Sequence, residues 1–383
     1  MTARGIRALL ADALLWAIAL STGERLFYLC AILIGLLFLF ALLSLIPAVV
    51  TLRVSQQLSG DRVSRGEELS LITQLRFHGL LPVGTLTLCW RFADERGILE
   101  QEAPRAFRDI RLNVPLRAAH VGAFSCRTEK IRITDLFGLL RFSCRGGESR
   151  TVLSLPLPFD IEKPGILSGE EGRSALDRAQ EDPTSPEDTR LWREGDPMKR
   201  VHWKLSSRRH ELTVRQYETP APPDTLILLD CSRPVGGEAV PDGEARLRDA
   251  LCETAVAAAA IQMADQSPVR MPLYGSGVTE FASDNAFGLP QLQEMLALQS
   301  FSAEADPASA LMLELRRMRR TGAVIVITTR LDAAIADALI SIRRSGPSVR
   351  LYLCGFSPDR PETEPFVLRL QHHLTEVCYV TPV

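Results

Sequence analysis

Between Arg190 and Glu218 the chain reads Arg-Leu-Trp-Arg-Glu-Gly-Asp-Pro-Met-Lys-Arg-Val-His-Trp-Lys-Leu-Ser-Ser-Arg-Arg-His-Glu-Leu-Thr-Val-Arg-Gln-Tyr-Glu, a concentration of guanidinium, indole and imidazole groups. Arg190, Arg193, Lys199, Arg200, Lys204, Arg208, Arg209 and Arg215 outnumber Glu194, Asp196 and Glu211, so a cationic patch sits in a chain of formal net charge -2. Guanidinium groups pair bidentately with carboxylates and stack on indole faces, so Asp196, Trp192 and Trp203 can be satisfied by neighbouring arginines. That gives a self-paired structural clasp; the same groups turned outward give a docking surface for an acidic partner. In a mixed arrangement Asp196 and Trp203 are structural while Arg193 and Arg209 face outward. Gly195-Asp196-Pro197 reads as a turn, and Val201 to Ser207 fits a short helical or extended stretch carrying Trp203.

Signatures of catalysis are scarce. The chain has no Gly-x-x-x-x-Gly-Lys-Ser/Thr phosphate loop, no Gly-x-Ser-x-Gly elbow and no His-Glu-x-x-His pair, and Gly275-Ser276-Gly277 reads as a hairpin turn. Asp196, His202 and Asp230 could serve a hydrolase, but carboxylates and imidazoles this close to many arginines are more often ion-paired than catalytic. No enzymatic activity is expected. The eight cysteines include no Cys-x-x-Cys pair, and Cys89, Cys126, Cys144, Cys231, Cys354 and Cys378 lie in apolar runs, the pattern of buried reduced thiols rather than of zinc ligands.

The elements that position these residues follow from hydropathy. Leu26 to Ile46 carries no charge and, at 1.5 Å per residue, spans roughly 31 Å, about the thickness of a bilayer core. Ile6 to Leu20 is apolar apart from Arg7 at its start and Asp12, and joins it through Ser21-Thr22-Gly23-Glu24-Arg25, predicting a membrane hairpin over residues 1–50. The alternative is a surface helix followed by one span. Arg4 and Arg7 precede the hairpin, Arg53, Arg62 and Arg65 follow it, and the connection holds only Arg25, so both ends should face the cytoplasm.

Residues 51–158 contain short β-rich runs, several alternating in polarity: Val49 to Leu58, Leu69 to Phe77, Thr85 to Phe92, Ile110 to Leu116, Val121 to Cys126, Lys130 to Thr134, Leu139 to Cys144 and Thr151 to Leu155. They predict a β-sandwich, immunoglobulin-like in architecture. Residues 159–189 are acidic and rich in Gly, Ser and Pro, as a linker would be, and their charge could pair with the basic segment 190–223. From Asp224 to Val383 apolar strands alternate with amphipathic helices, which argues a doubly wound α/β domain with its ligand site at the carboxyl ends of the strands. With 46% hydrophobic and 23% charged residues the whole is globular, and a near-zero global charge implies no nucleic-acid partner; a nucleic-acid binder using the basic stretch is the least favoured reading.

The basic segment resembles the signature of bacterial membrane proteins grouped as domain of unknown function 58. Trp192, Gly195-Asp196, Lys199-Arg200, Val201, His202-Trp203, Ser206-Ser207-Arg208 and Leu212-Thr213-Val214-Arg215 stand at its places, with Trp192 where Tyr is usual and Ser207 for Ala. Asp135-Leu136-Phe137-Gly138-Leu139-Leu140 resembles the Asp-Pro-Phe-Gly-Leu turn of that family, with Leu136 for Pro. The resemblance implies a scaffold or adaptor that works with a MoxR-type AAA+ ATPase, often beside a membrane transglutaminase-like protein.

The C-terminal domain is similar to von Willebrand factor type A domains, and Asp230-Cys231-Ser232-Arg233-Pro234 resembles their Asp-x-Ser-x-Ser metal turn. Such a site takes oxygen donors from three loops for a near-octahedral Mg²⁺ shell. Here Pro234 replaces the second Ser, the loop from Ser302 to Ala308 offers Asp306 but no Thr, and Thr328-Thr329 stand where an Asp is usual. Asp230 and Ser232 alone make a weak, degenerate Mg²⁺ site, and a hydrogen-bonded structural turn is the competing reading. A metal-dependent ligand-binding domain is therefore the alternative function.

Overall fold

The computed structural model describes residues 1–78, 83–92, 98–103, 109–161, 188–193, 198–216, 223–275, 277–302, 305–318, 321–358 and 360–382. The chain forms two compact units, Met1–Pro156 and, apart from Leu296–Leu298, Leu157–Val383.

The first unit begins with two apolar helices, α1 (Ala3–Thr22) and α2 (Arg25–Thr51), both long and apolar enough to cross a membrane. Thr2 caps α1 by accepting the Gly5 amide, and Gly23 ends it in the left-handed conformation, φ 68°, that glycine adopts without a Cβ clash. Trp16 and Tyr28 meet edge to face across the pair, with ring centroids 5.9 Å apart. Leu9, Leu10, Leu14, Leu29, Ile32 and Leu33 stay exposed, an apolar belt that lipid would cover.

The strand expected from Val49 corrects to helix as far as Thr51, with β1 (Arg53–Leu58) following. Leu45 and Ala48 on the last turns of α2 are buried in the core of the β-rich part, and that packing overrides Pro47 and the β-branched Val49 and Val50. The Thr51 hydroxyl then accepts the His78 amide at 2.7 Å, which ties the helix end to that core.

The remaining strands are β2 (Arg62–Ser64), β3 (Glu68–Arg76), β4 (Leu86–Phe92), β5 (Ile98–Ala103), β6 (Asp109–Arg117), β7 (Gly122–Thr134), β8 (Arg141–Arg145) and β9 (Arg150–Leu155). They form a three-stranded sheet, β1-β3-β6, and a second of order β2-β9-β7-β4-β5 with β8 beside β7. One core joins them: Leu69, Leu71, Leu75, Val114 and Leu116 from the first, and Leu86, Leu88, Trp90, Phe124, Ile131, Ile133 and Val152 from the second. Alternation of polarity along β3 places Leu69, Leu71, Thr73 and Leu75 inward. The runs Val121 to Cys126 and Lys130 to Thr134, read as separate strands, are one strand whose pairing with β4 shifts between Cys89 and Trp90, a β-bulge.

After β7 the chain turns at Asp135. Its carboxylate, 1% exposed as a residue, accepts the amides of Phe137 at 2.9 Å and Leu140 at 2.6 Å, and Gly138 takes φ 70°. The start of α1 rests on this turn, with the Thr2 amide donating to the Leu139 carbonyl at 3.1 Å. A Cβ on Gly5 would lie 2.0 Å from that same carbonyl oxygen, so only glycine admits the approach.

In the second unit, of the acidic segment 159–189, residues 162–187 lie outside the described residues. Then β10 (Asp188–Leu191), a 3-10 turn (Met198–Arg200), α3 (Trp203–Arg209) and β11 (Thr213–Gln216) make a small hairpin, and the α/β sheet follows. Its elements are β12 (Asp224–Leu229), α4 (Gly243–Ala264), β13 (Val269–Tyr274), β14 (Val278–Ser283), α5 (Leu289–Ala297), α6 (Pro307–Arg317), β15 (Thr321–Thr328), α7 (Ala333–Arg344), β16 (Ser348–Cys354), α8 (Glu364–His372) and β17 (Glu376–Val380). Strand order is β14-β13-β12-β15-β16-β17, parallel except for β14, which pairs antiparallel across the Gly275–Gly277 turn. Alternate strand residues face two helical layers. Leu226, Leu228, Val324, Val326 and Leu351 pack with residues of α7 and α8, while α4 packs against β12, β15 and β16 with Leu247, Leu251 and Ala255 buried.

A charged network fastens α6 to this sheet. Glu314 is fully buried and takes Arg270 at 2.8 Å, Arg317 at 3.3 Å and the Tyr274 hydroxyl. Burial first, then the neighbouring Glu314, pushes the Tyr274 phenol up to about 12.

Candidate functional site

The basic signature folds on itself. Asp188, Thr189, Arg190 and Leu191 pair with Gln216, Arg215, Val214 and Thr213 in an antiparallel ladder, and the Trp192 amide donates to the Leu212 carbonyl at 2.8 Å. His202 caps α3: its Nδ1 accepts the Leu205 amide at 3.2 Å while its own amide donates to Thr213 at 2.8 Å. Ser206 closes the unit from the inside, its buried hydroxyl accepting the Thr213 amide at 2.9 Å and reaching the Thr213 carbonyl at 3.3 Å. His210 leaves the helix in the left-handed conformation, φ 57°, and so sends the chain into β11.

This backbone decides which groups are presented. Trp203 opens α3 and is 61% exposed, so most of the indole faces solvent. Arg193, Lys199, Lys204, Arg208 and Arg209 are also exposed, and Trp192 is half-buried. Arg190, Arg200 and Arg215 are placed by backbone alone, in β10, the 3-10 turn and β11. Gly195 and Asp196 lie outside the described residues, and with them the pairing expected for Asp196. Ser206 stands at a place of the signature, but its bonding to Thr213 is not legible there: a small hydroxyl residue seven positions before a strand Thr carries too little signal to reveal the pair.

A second candidate lies at the carboxyl ends of β12 and β15, where neighbouring strands connect in opposite directions, the usual place for a ligand in such sheets. Asp230 is 4% exposed. Its Oδ1 accepts the Ser232 amide at 2.9 Å, and its Oδ2 accepts the Thr328 hydroxyl at 2.6 Å and faces Arg330 Nε at 3.6 Å. Ser232 bridges to Ser302, Arg330 reaches the Ala305 carbonyl at 3.3 Å, and Arg360 donates to the Thr329 carbonyl at 3.0 Å. Asp306, exposed, is taken up in capping α6, where the Ser309 hydroxyl first, then backbone amides and Arg330, hold its carboxyl below the usual range.

A divalent cation does not fit these residues. Both Asp230 oxygens already have donors, Pro234 offers no side-chain oxygen, and a guanidinium stands beside the carboxylate. Among the described residues no group of three or more His, Cys, Asp or Glu could hold a metal. The adjacent Cys231 thiol is pushed up to about 12, by burial first and then by Asp230, which leaves it neutral and unreactive.

No family model matches the chain, and no curated protein matches it. Solved structures share limited similarity with it. The CARDB domain of the PF1109 protein from Pyrococcus furiosus is 7% identical, with 27% of this chain and 90% of that one covered, at a TM-score of 0.20. Spo0M, a sporulation control protein from Bacillus subtilis, is 14% identical over 37% of this chain and 58% of its own, at 0.17. Cwp6 from Clostridium difficile is 11% identical over 85% of this chain and 49% of its own, at 0.20. TM-scores this low define neither a shared fold nor a shared function.

Proposed function

We propose that the protein is a membrane-anchored scaffold or adaptor, with both soluble units on the cytoplasmic side, that docks an acidic protein partner through the exposed face of the signature hairpin. The observation that carries this reading is the exposure of Trp203, Lys204, Arg208 and Arg209 on α3 and of Arg193 after β10, on a hairpin held together by Ser206, His202 and the β10–β11 ladder instead. Exposed Trp and Arg are the side chains that dominate protein interfaces. The family resemblance of this segment supplies the partner, a MoxR-type AAA+ ATPase, with a membrane transglutaminase-like protein as a further associate. The type A-like domain serves as a rigid body in this assembly, and the chain carries out no catalysis of its own. Anchoring rests on the two apolar helices, and the cytoplasmic side on Arg4, Arg7, Arg53, Arg62 and Arg65.

The test uses the full chain in detergent and a purified MoxR-type ATPase from the same genome. Trp203→Ala and the double variant Arg208→Glu, Arg209→Glu should each lower ATPase capture at least about tenfold, the loss of one strong interface contact. Undiminished capture by both variants would remove the signature from the interface.

A further inference from the structure

We propose that the guanidinium of Arg330 is the resident cation of the crevice between β12 and β15, standing in for a divalent metal and joining the surrounding loops without one. The Asp230 carboxylate is buried, and a buried carboxylate needs both hydrogen bonds and a counter-charge. Amide and hydroxyl supply the first, from Ser232 and Thr328. Arg330 supplies the second, its Nε standing 3.6 Å from Oδ2 of that carboxylate.

The same residue reaches every segment that a metal would have to join. Its side chain faces Asp230 after β12 and donates to Ala305 ahead of α6, while its own amide donates to the Thr328 hydroxyl at 3.1 Å. Thr328 therefore offers its proton to Asp230 and a lone pair to Arg330, leaving little for a third partner. Among the described residues of this crevice the Ser232 hydroxyl and the Arg330 Nε are buried without a hydrogen-bond partner, so a single oxygen is left over, far short of a shell of six. One guanidinium against one carboxylate is neutral. The pair lacks the surplus positive charge by which a bound dication draws in a partner's carboxylate, so recognition through this crevice in a metal-dependent manner is excluded.

Hydrogen–deuterium exchange on the full chain in detergent micelles tests this, read on peptides covering 224–235 and 321–332, with the β-rich unit as internal control. Wild type should exchange identically with millimolar Mn²⁺ and with NaCl of equal ionic strength. Arg330→Met, which keeps the bulk and removes the charge, should exchange about tenfold faster in both peptides whether or not Mn²⁺ is present, because the oxygen donors left there do not make a metal shell. Arg330→Lys should keep most of the wild-type protection. The proposal is overturned by Mn²⁺ protection of the wild type, by Arg330→Met exchanging like the wild type or being protected by Mn²⁺, or by Arg330→Lys faring no better than Arg330→Met.

Discussion

Asp135 and Asp230 are both almost wholly buried, and both follow a strand into a turn, yet their charges are met by different means. Asp135 is served by amides two and five residues ahead in the chain. Asp230 takes one amide two residues ahead, but its other oxygen depends on Thr328 and Arg330, about a hundred positions away and brought near only because β15 lies beside β12. A local solution survives as long as its turn does. A distant one exists only when the sheet is assembled, and it gives the sheet something to lose.

The largest expected effect therefore falls on the distant pair. Arg330→Ala should destabilise the second unit by about 2–3 kcal/mol, below the full cost of stranding one member of a buried ion pair because the guanidinium is one-third exposed and Asp230 keeps its two hydrogen-bond donors, whereas Asp135→Ala should cost the first unit about 1–2 kcal/mol. Urea titration followed by hydrogen exchange in each unit measures both. Equal losses would break the contrast.

Alkaline pH should separate the units next. Cys231 and Cys354 are pushed up to about 12 and Cys252 higher still, each chiefly by burial, and Tyr274 is raised to about 12. Groups raised in the folded state favour the fold fully below their unfolded pKa, so this stability is lost as pH rises from about 9 through 12. Cys126 and Cys144 in the first unit are also raised by burial, two such groups against the four named in the second unit. The second unit should thus lose exchange protection at lower alkaline pH than the first, and Cys231→Ala should flatten its profile. A first unit that fails earlier would reverse the comparison.

The smallest effect contrasts two residues of the signature. Ser206→Ala removes a buried hydroxyl bonded at both ends of Thr213 and should cost about 1 kcal/mol, read as faster exchange of β10 and β11. Trp203→Ala should change that exchange by less than about 0.5 kcal/mol, as exposed substitutions do. A larger loss for Trp203 would return it to the structural role expected of it.

What the sequence made legible is what depends on short range. The two apolar helices, the alternating strand β3 and the Asp135 turn are written in hydropathy, period and the Asp-x-Phe-Gly order. The single strand β7 was hidden by Arg127-Thr128-Glu129, which reads as a polar break. In the fold Thr128 is buried against the Gln56 side chain, and Glu129 meets Arg91 at 3.2 Å. At Asp230 the sequence showed which oxygen donors were lacking, while the cation beside them depended on a neighbouring strand. Trp203 looked like a natural partner for nearby arginines, until the position of α3 turned it outward.

The two ends of the helical hairpin are both fastened to the β-rich part of the first unit, Thr2 at the Gly138–Leu139 turn and Leu45, Ala48 and Thr51 in and beside the core. A body on one tether can swivel; a body on two mounts cannot. If the hairpin lies in a bilayer, as proposed, the β-rich part would keep one bearing relative to the membrane plane, and a change in helix tilt would become a rotation of that part as a whole.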